Sequence, residues 1–173
     1  PVSINGRLFI ESREAVDLNN ASVVLLSVDP DLPSPRIVFA RSAGQFILNG
    51  RVAGNYVLEV SNLRQEPYLK AGGFGDDDIL EKPLTVQARE PAKPIQVLLG
   101  SDGDRLQVAA YNGKGELHAG AQFVLVPDIK RRDRREQYRV ATSGEDGQAI
   151  IRGIPPGSYK LLAWEDLKPN AYL

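Results

Sequence analysis

The chain has no cysteine in its 173 residues, a single histidine (His118) and a single tryptophan (Trp164), and only 7% of its residues are aromatic. Without cysteine there is neither a disulfide framework nor a thiolate nucleophile, and the redox compartment is left open, since envelope and cytosolic proteins can both do without it. The net charge is −1, so the molecule as a whole has no electrostatic attraction for nucleic acid or an anionic membrane. No apolar run approaches the roughly 18 residues that a membrane-spanning helix needs. The opening PVSINGRLFI lacks the basic start and apolar middle of a secretory signal. The chain starts at Pro1, and the expectation is a processed or excised piece of something longer.

What is present points to strands. Hydrophobic residues make up 42% of the chain, enough for a real core, and 16 glycines and 12 prolines punctuate short segments without a sustained 3.6-residue period. That pattern describes a turn-rich β protein in which helix is the minority.

The most informative feature is an internal repeat. Residues 44–60 read GQFILNGRVAGNYVLEV and residues 147–163 read GQAIIRGIPPGSYKLLA. At a shift of 103, Gly44, Gln45, Ile47, Gly50, Gly54, Tyr56 and Leu58 meet Gly147, Gln148, Ile150, Gly153, Gly157, Tyr159 and Leu161. Upstream, ASVVLLS from Ala21 resembles AQFVLVP from Ala121; downstream, Leu63, Tyr68 and Leu69 meet Leu167, Tyr172 and Leu173. The chain therefore reads as two copies of one unit, residues 1–100 and 101–173.

Each copy carries the same physical signals. An apolar strand (Val23 to Val28; Phe123 to Val126) is closed by proline or Asp-Pro, and a polar excursion returns into a glycine turn, SAGQ or EDGQ, suited to a tight hairpin. Phe46 and Leu48, or Ala149 and Ile151, then point to one face. In IPPG, proline sets the backbone for the second position of a turn and Gly157 is expected to supply the left-handed conformation of a type II turn. Tyr56, Leu58 and Val60, and in the second copy Tyr159, Leu161 and Ala163, alternate with more polar residues as half-buried strands. PLTVQA and PIQVLL, within residues 70–99, read as two further strands. Several short strands separated by turn residues indicate an all-β chain: two tandem antiparallel β-sandwich domains of the immunoglobulin kind.

GQFILNGRVAGNYVLEV and GQAIIRGIPPGSYKLLAWEDL together resemble the G-x-F-x-I-x-x-(V/I)-x-P-G-x-Y-x-L signature of carboxypeptidase regulatory-like domains. These are seven-stranded prealbumin-like sandwiches that also resemble the B-type repeats of collagen-binding adhesins. The ending AWEDLKPNAYL is similar to tails of multi-domain bacterial envelope proteins that carry such modules. The resemblance implies a secreted, periplasmic or cell-surface location and a module without catalysis, because in the peptidases that name the family the catalytic domain lies elsewhere. No His-x-x-Glu pair of a zinc site is present, and no cofactor is implied.

The sequence departs from the pattern in two places. Arg51-Val52-Ala53-Gly54 replaces Ile-Pro-Pro-Gly in the first copy, and the second copy has no counterparts of residues 70–99. Its sandwich is expected to be short of strands, closed by residues 94–99, or truncated. Adhesin-type repeats often hold a Lys–Asn isopeptide bond promoted by a buried acid, and Glu59 sits where that acid would be. No lysine precedes Lys70, however, and Leu162 holds the matching position in the second copy, so Glu59 reads as a solvent-facing or edge residue.

Few residues offer chemistry. His118, in GELHAGAQF, falls in a loop before a strand with no serine or acidic partner motif beside it. Asp76-Asp77-Asp78 could offer oxygens to calcium but lacks the spaced Asp-x-Asp-x-Asp-Gly pattern, and reads as a solvated loop entering a strand at Ile79. The tract from Lys130 to Arg135 holds Lys130, Arg131, Arg132, Arg134 and Arg135 at the expected tip between two strands. By count the second copy is +1 (11 basic, 10 acidic) and the first −2 (10 basic, 12 acidic). Such a tip attracts phosphate, acidic polysaccharide or an acidic protein surface. Trp164, beside Glu165 and Asp166, could stack on a sugar ring, or cover the end of the sandwich with its N–H bonded to backbone. The ligand-contact candidates are thus Trp164, Arg131, Arg132, Arg134 and Arg135. The expected function is a non-catalytic structural or protein-interaction module, whose partners are other domains of a parent chain or an envelope protein. A carbohydrate-binding module that takes polysaccharide is the alternative.

Overall fold

The computed structural model describes residues 2–12, 17–32, 36–63, 67–88, 90–132, 134–166, 168 and 171. Contacts divide the chain into two compact units, Pro1–Ser101 and Asp102–Leu173. The described residues are all-β, with strands joined by turns and short 3₁₀ segments.

The first unit contains β1 (Val2–Glu11), β2 (Ser22–Ser27), β3 (Val38–Phe39), β4 (Gln45–Arg51), β5 (Gly54–Ser61), β6 (Tyr68–Phe74), β7 (Asp77–Asp78), β8 (Leu84–Val86) and β9 (Ile95–Gly100). They form one sheet in the order β4-β1-β9-β6-β7 and another in the order β3-β2-β5-β8. All of these pairings are antiparallel except β1 with β9, which run parallel from Gly6↔Ile95 to Glu11↔Gly100. Alternation sets the faces: Ile4 and Leu8 of β1, Leu48 of β4, Leu58 of β5 and Ile95, Val97 and Leu99 of β9 are buried in one core. Burying each such side chain stabilises the unit by roughly 1.5–3 kcal/mol. Gly6 is held by its register partner Phe46, because a Cβ on Gly6 would lie 2.1 Å from the ring Cζ. The hairpin before β4 turns through Ala43 (φ 58°) and Gly44 (φ 71°), so an alanine occupies the left-handed region where glycine fits without steric cost.

The second unit contains β10 (Asp104–Ala109), β11 (Gln122–Pro127), β12 (Arg139–Thr142), β13 (Gln148–Ile154) and β14 (Tyr159–Trp164). Its sheets are β10-β13 and β12-β11-β14. The β10–β13 register repeats that of β1–β4 residue for residue: Leu106↔Ile151 and Val108↔Ala149 match Ile4↔Leu48 and Gly6↔Phe46. A register irregularity between Asp104 and Leu106 matches the one between Val2 and Ile4. The large-small pair is exchanged, with Val108 opposite Ala149 where Gly6 lies opposite Phe46. Both tyrosines after the turn close it in the same way. Tyr56 donates its hydroxyl to Val52 O and Tyr159 to Pro155 O, each at 3.0 Å.

The cores differ. Val108, Phe123, Leu125, Ala149, Ile151 and Ile154 form the buried cluster of the second unit. Leu106 is 37% exposed where its counterpart Ile4 is 0%, and Leu161 is 42% exposed where Leu58 is 1%. Ala163 is exposed as well, so the half-buried face expected for Tyr159, Leu161 and Ala163 is largely open. The physical reason is the missing cover: among the described residues, the second unit has no strands in the places of β6, β8 and β9. Nor do residues 94–99 close it. They form most of β9, with β1 on one side and β6 on the other. The turn expectation also changes, since the left-handed glycine is Gly153 (φ 61°) rather than Gly157. Gly157 instead leaves room for an arginine, its would-be Cβ lying 3.1 Å from Arg131 Nη1.

Candidate functional site

The basic tract lies between β11 and β12, in two short 3₁₀ turns, Ile129–Arg131 and Arg135–Gln137. The Asp128 carboxylate accepts from Lys130 N at 3.0 Å and starts the first turn. Two guanidinium groups then clasp the GIPPG turn. Arg131 Nη1 donates to Pro156 O at 3.0 Å, and Arg139 Nε donates to Gly153 O at 2.9 Å. Arg139 Nη1 also donates to Tyr138 O at 2.9 Å, and the Tyr138 hydroxyl donates to Arg132 O at 3.2 Å. Arg132 and Arg135 are exposed and Arg134 is half-buried. Arg131 and Arg139 therefore serve the fold, while Arg132 and Arg135 face solvent. Partial burial pushes the Tyr159 hydroxyl above its ordinary value of 10.0, against the opposing charges of Arg131 and Arg139.

Trp164 ends β14, half-buried, opposite Gln122. Leu161 and Ala163 pair with the core residues Leu125 and Phe123, so Trp164 shares the other face with Leu162 and Lys160. Gln122 begins β11 and the basic tip follows its end, which puts about 17 Å of strand between Trp164 and the arginines. The sequence candidates are thus not gathered into one site.

Elsewhere the flagged residues have structural partners. Asp77 and Asp78 form the short strand β7 rather than a loop, and Ile79 after them is buried. Asp77 accepts from Lys93 Nζ at 3.0 Å, a bond that raises the lysine pKa, and Asp78 accepts from Leu80 N at 2.7 Å. No cluster that could hold a metal ion occurs among the described residues. His118 is half-buried; its backbone N–H donates to Ala110 O and its carbonyl accepts from Ser143 Oγ at 2.8 Å. Glu59 is half-buried on the face of β5 opposite Leu58 and Val60.

Sequence reasoning missed a groove of about 340 Å³ on the outer face of the first unit, lined by Phe9, Ala71, Gly73, Asp77, Gln96 and Leu98 among others. The Arg7 guanidinium lies 4.9 Å from the centroid of the Phe9 ring, and its Nε donates to Ala43 O at 3.1 Å. Only cross-strand pairing brings these residues together, Phe9 beside Leu98 and Gln96 beside Gly73.

No family model matches the chain, and no curated protein does either. Among solved structures it is similar to a streptococcal ancillary pilin, with 15% identity over 94% of this chain and 53% of that one, at a TM-score of 0.38. It is also similar to the Bacillus anthracis TIE protein, with 15% identity over 95% of this chain and 31% of that one, at 0.40. A variant of the shaft pilin SpaA from Lactobacillus rhamnosus GG gives 10% identity over 98% and 88%, at 0.34. The chain spans about half the length of the streptococcal pilin and about a third of the Bacillus anthracis protein. The all-β assignment rests on the chain's own sheets and registers.

Proposed function

We propose that the chain is a non-catalytic structural or protein-interaction module of a larger secreted or envelope-associated protein, built as two tandem carboxypeptidase regulatory-like copies that meet near residues 100–101. The observation that carries the reading is that several polar side chains that could serve chemistry instead hold the fold. Arg131 and Arg139 clasp a turn, Asp77 and Asp78 fix a hairpin, and the Ser143 hydroxyl ties Ala121 N to His118 O. The repeated β1–β4 and β10–β13 registers and the two tyrosine-to-carbonyl bonds support the tandem copies. Location outside the cytoplasm follows from the sequence resemblance; no described helix is long and apolar enough to cross a membrane.

The test is a binding screen of the purified chain against soluble and insoluble polysaccharides and peptidoglycan, alongside Trp164→Ala and a variant with Arg131, Arg132, Arg134 and Arg135 neutralised. Saturable binding lost with Trp164 replaces this reading by a carbohydrate-binding module. Salt-sensitive binding lost with the arginines identifies an acidic partner. No binding to any glycan is the expected result.

A further inference from the structure

The groove on the outer face of the first unit has an apolar half and an acidic half. Ile4 and Leu8 point into the core, so Phe9 of β1 lies on the opposite face, 38% exposed. Register carries two rows of residues across the sheet there: Phe9, Leu98 and Ala71 in one, and Gln96, Gly73 and Asp78 in the next. Alanine and glycine on β6 lower the surface between Phe9 and Leu98 on one side and β7 on the other, leaving a trough of about 340 Å³. β1 and β7 are three strand spacings apart in the sheet, roughly 14 Å.

Charge gathers at the β7 end. Asp76, Asp77 and Asp78 line the groove and are exposed, and among the described residues no lysine or arginine lines it. Asp77 is bonded to Lys93 at 3.0 Å, and Asp78 gives Oδ1 to Leu80 N. The Asp76 carboxylate makes no hydrogen bond among the described residues. Lys70, beside Ala71, is held by Glu11. At the apolar end, the Arg7 guanidinium lies 4.9 Å from the Phe9 centroid and is anchored to Ala43 O, on the β4 side of the ring. The groove thus presents uncompensated negative charge on a unit that is itself −2 by count (10 basic, 12 acidic).

We infer that this groove docks an extended segment of a partner protein that carries a lysine or arginine two residues from an apolar side chain. This rests on the reading of the chain as a protein-interaction module and specifies the partner's chemistry. Side chains two residues apart in an extended segment emerge on one side, about 7 Å from each other. Laid across the strands, the segment covers Phe9 and Leu98 with its apolar side chain. The methylene stem of the basic residue then crosses Ala71 and Gly73, and its charged head reaches Asp76 and Asp78. Sign decides the occupant: carboxylates without a cation beside them favour a basic segment and repel an acidic one.

The probe is the peptide acetyl-Lys-Ala-Leu-Ala-Lys-amide, whose symmetric order suits either direction across the groove, titrated into the full chain at low salt with backbone amides followed by NMR. Saturating shifts are expected at Phe9, Ala71, Gly73, Asp78 and Gln96, with affinity falling as salt rises. Replacing both lysines of the peptide by glutamine weakens binding about fivefold to tenfold, and so does the double variant Asp76→Asn with Asp78→Asn. Asparagine at 78 keeps an oxygen for Leu80 N, so that variant retains the turn after β7. Ala71→Leu fills the groove from an exposed position and abolishes the shifts, with the spectrum elsewhere unchanged. No saturating shift at these amides, or shifts only elsewhere, overturns the inference while leaving the non-catalytic reading intact. Equal binding of the glutamine peptide or of a glutamate version overturns it as well. Shifts at the same amides from a polysaccharide of the screen above would overturn the interaction-module reading itself.

Discussion

The exchange of Gly6–Phe46 for Val108–Ala149 at matching register positions predicts that each pair works as a unit, so a double-mutant cycle in the first unit should show strong coupling. Phe46 is 3% exposed, and truncating a buried phenylalanine to alanine costs about 3–5 kcal/mol through lost burial and the cavity left behind. Gly6→Val alone forces its Cβ toward ring atoms 2.1 to 2.8 Å away, an overpacking cost of about 1–3 kcal/mol or more. Together the two changes place valine in the space the ring vacated, as Val108 lies over Ala149. The pair is expected to cost less than Phe46→Ala alone, with a coupling of about 2–3 kcal/mol. Urea unfolding followed at core amides of the first unit measures the four corners of the cycle. Fluorescence of Trp164, which lies in the second unit, checks that the other unit is unaffected. Costs that add within about 0.5 kcal/mol would refute the compensating-pair argument.

Ala43→Gly should stabilise the first unit by about 0.5–1 kcal/mol in the same urea assay. It removes left-handed strain at φ 58° and gives back part of the gain in unfolded-chain entropy. Tyr159→Phe loses the bond to Pro155 O and should cost the second unit about 0.5–1.5 kcal/mol. Because the folded state raises the Tyr159 pKa, its contribution is fully present below the ordinary value of 10.0 and is lost as pH rises through the higher folded value. Ultraviolet titration should accordingly find a late-ionising tyrosine that disappears in Tyr159→Phe. Neutralising Arg132 or Arg135 should shift stability by less than about 0.5 kcal/mol, whereas Arg131→Ala, which releases Pro156 O, should destabilise the second unit by about 1 kcal/mol. With a smaller buried cluster, the second unit should unfold at lower urea than the first, read by Trp164 fluorescence against first-unit amides.

The segments legible in the sequence are those whose signals are local. The 44–60 and 147–163 repeats carry turn glycines and alternating apolar residues within a few positions of one another, and β4, β5, β13 and β14 lie where those signals put them. β6 was hidden because YLKAGGF spends two positions on glycine, a weak strand former, and one of them, Gly72, admits Ile79 and Leu80. A Cβ on Gly72 would lie 3.0 Å from Ile79 Cγ1 and 3.2 Å from Leu80 Cδ2. The part played by β9 was hidden for another reason. Its apolar run fits any buried central strand, and nothing in PIQVLL says which β-edge it joins. The roles of the candidate residues were least legible. Arg131 finds its acceptor 25 residues away at Pro156, and the groove beside Phe9 exists only once residues 9, 73 and 96 share a sheet face.

Among its described residues the second unit has no strand in the place of β9, and the burial such a strand brings to the first unit is substantial. Three fully buried side chains such as Ile95, Val97 and Leu99 contribute roughly 5–9 kcal/mol of apolar burial. Its order is reinforced by polar bonds with no like counterpart among the described residues of the first unit. Ser143 stands where the first unit has Ala40, and its hydroxyl accepts from Ala121 N at 2.9 Å while donating to His118 O at 2.8 Å. Arg131 and Arg139 fix the GIPPG turn from which β14 leaves. These bonds hold the turns that set the course of β13 and β14, and the bonds from Ala110 and Asn112 hold the continuation of β10 against its own hairpin.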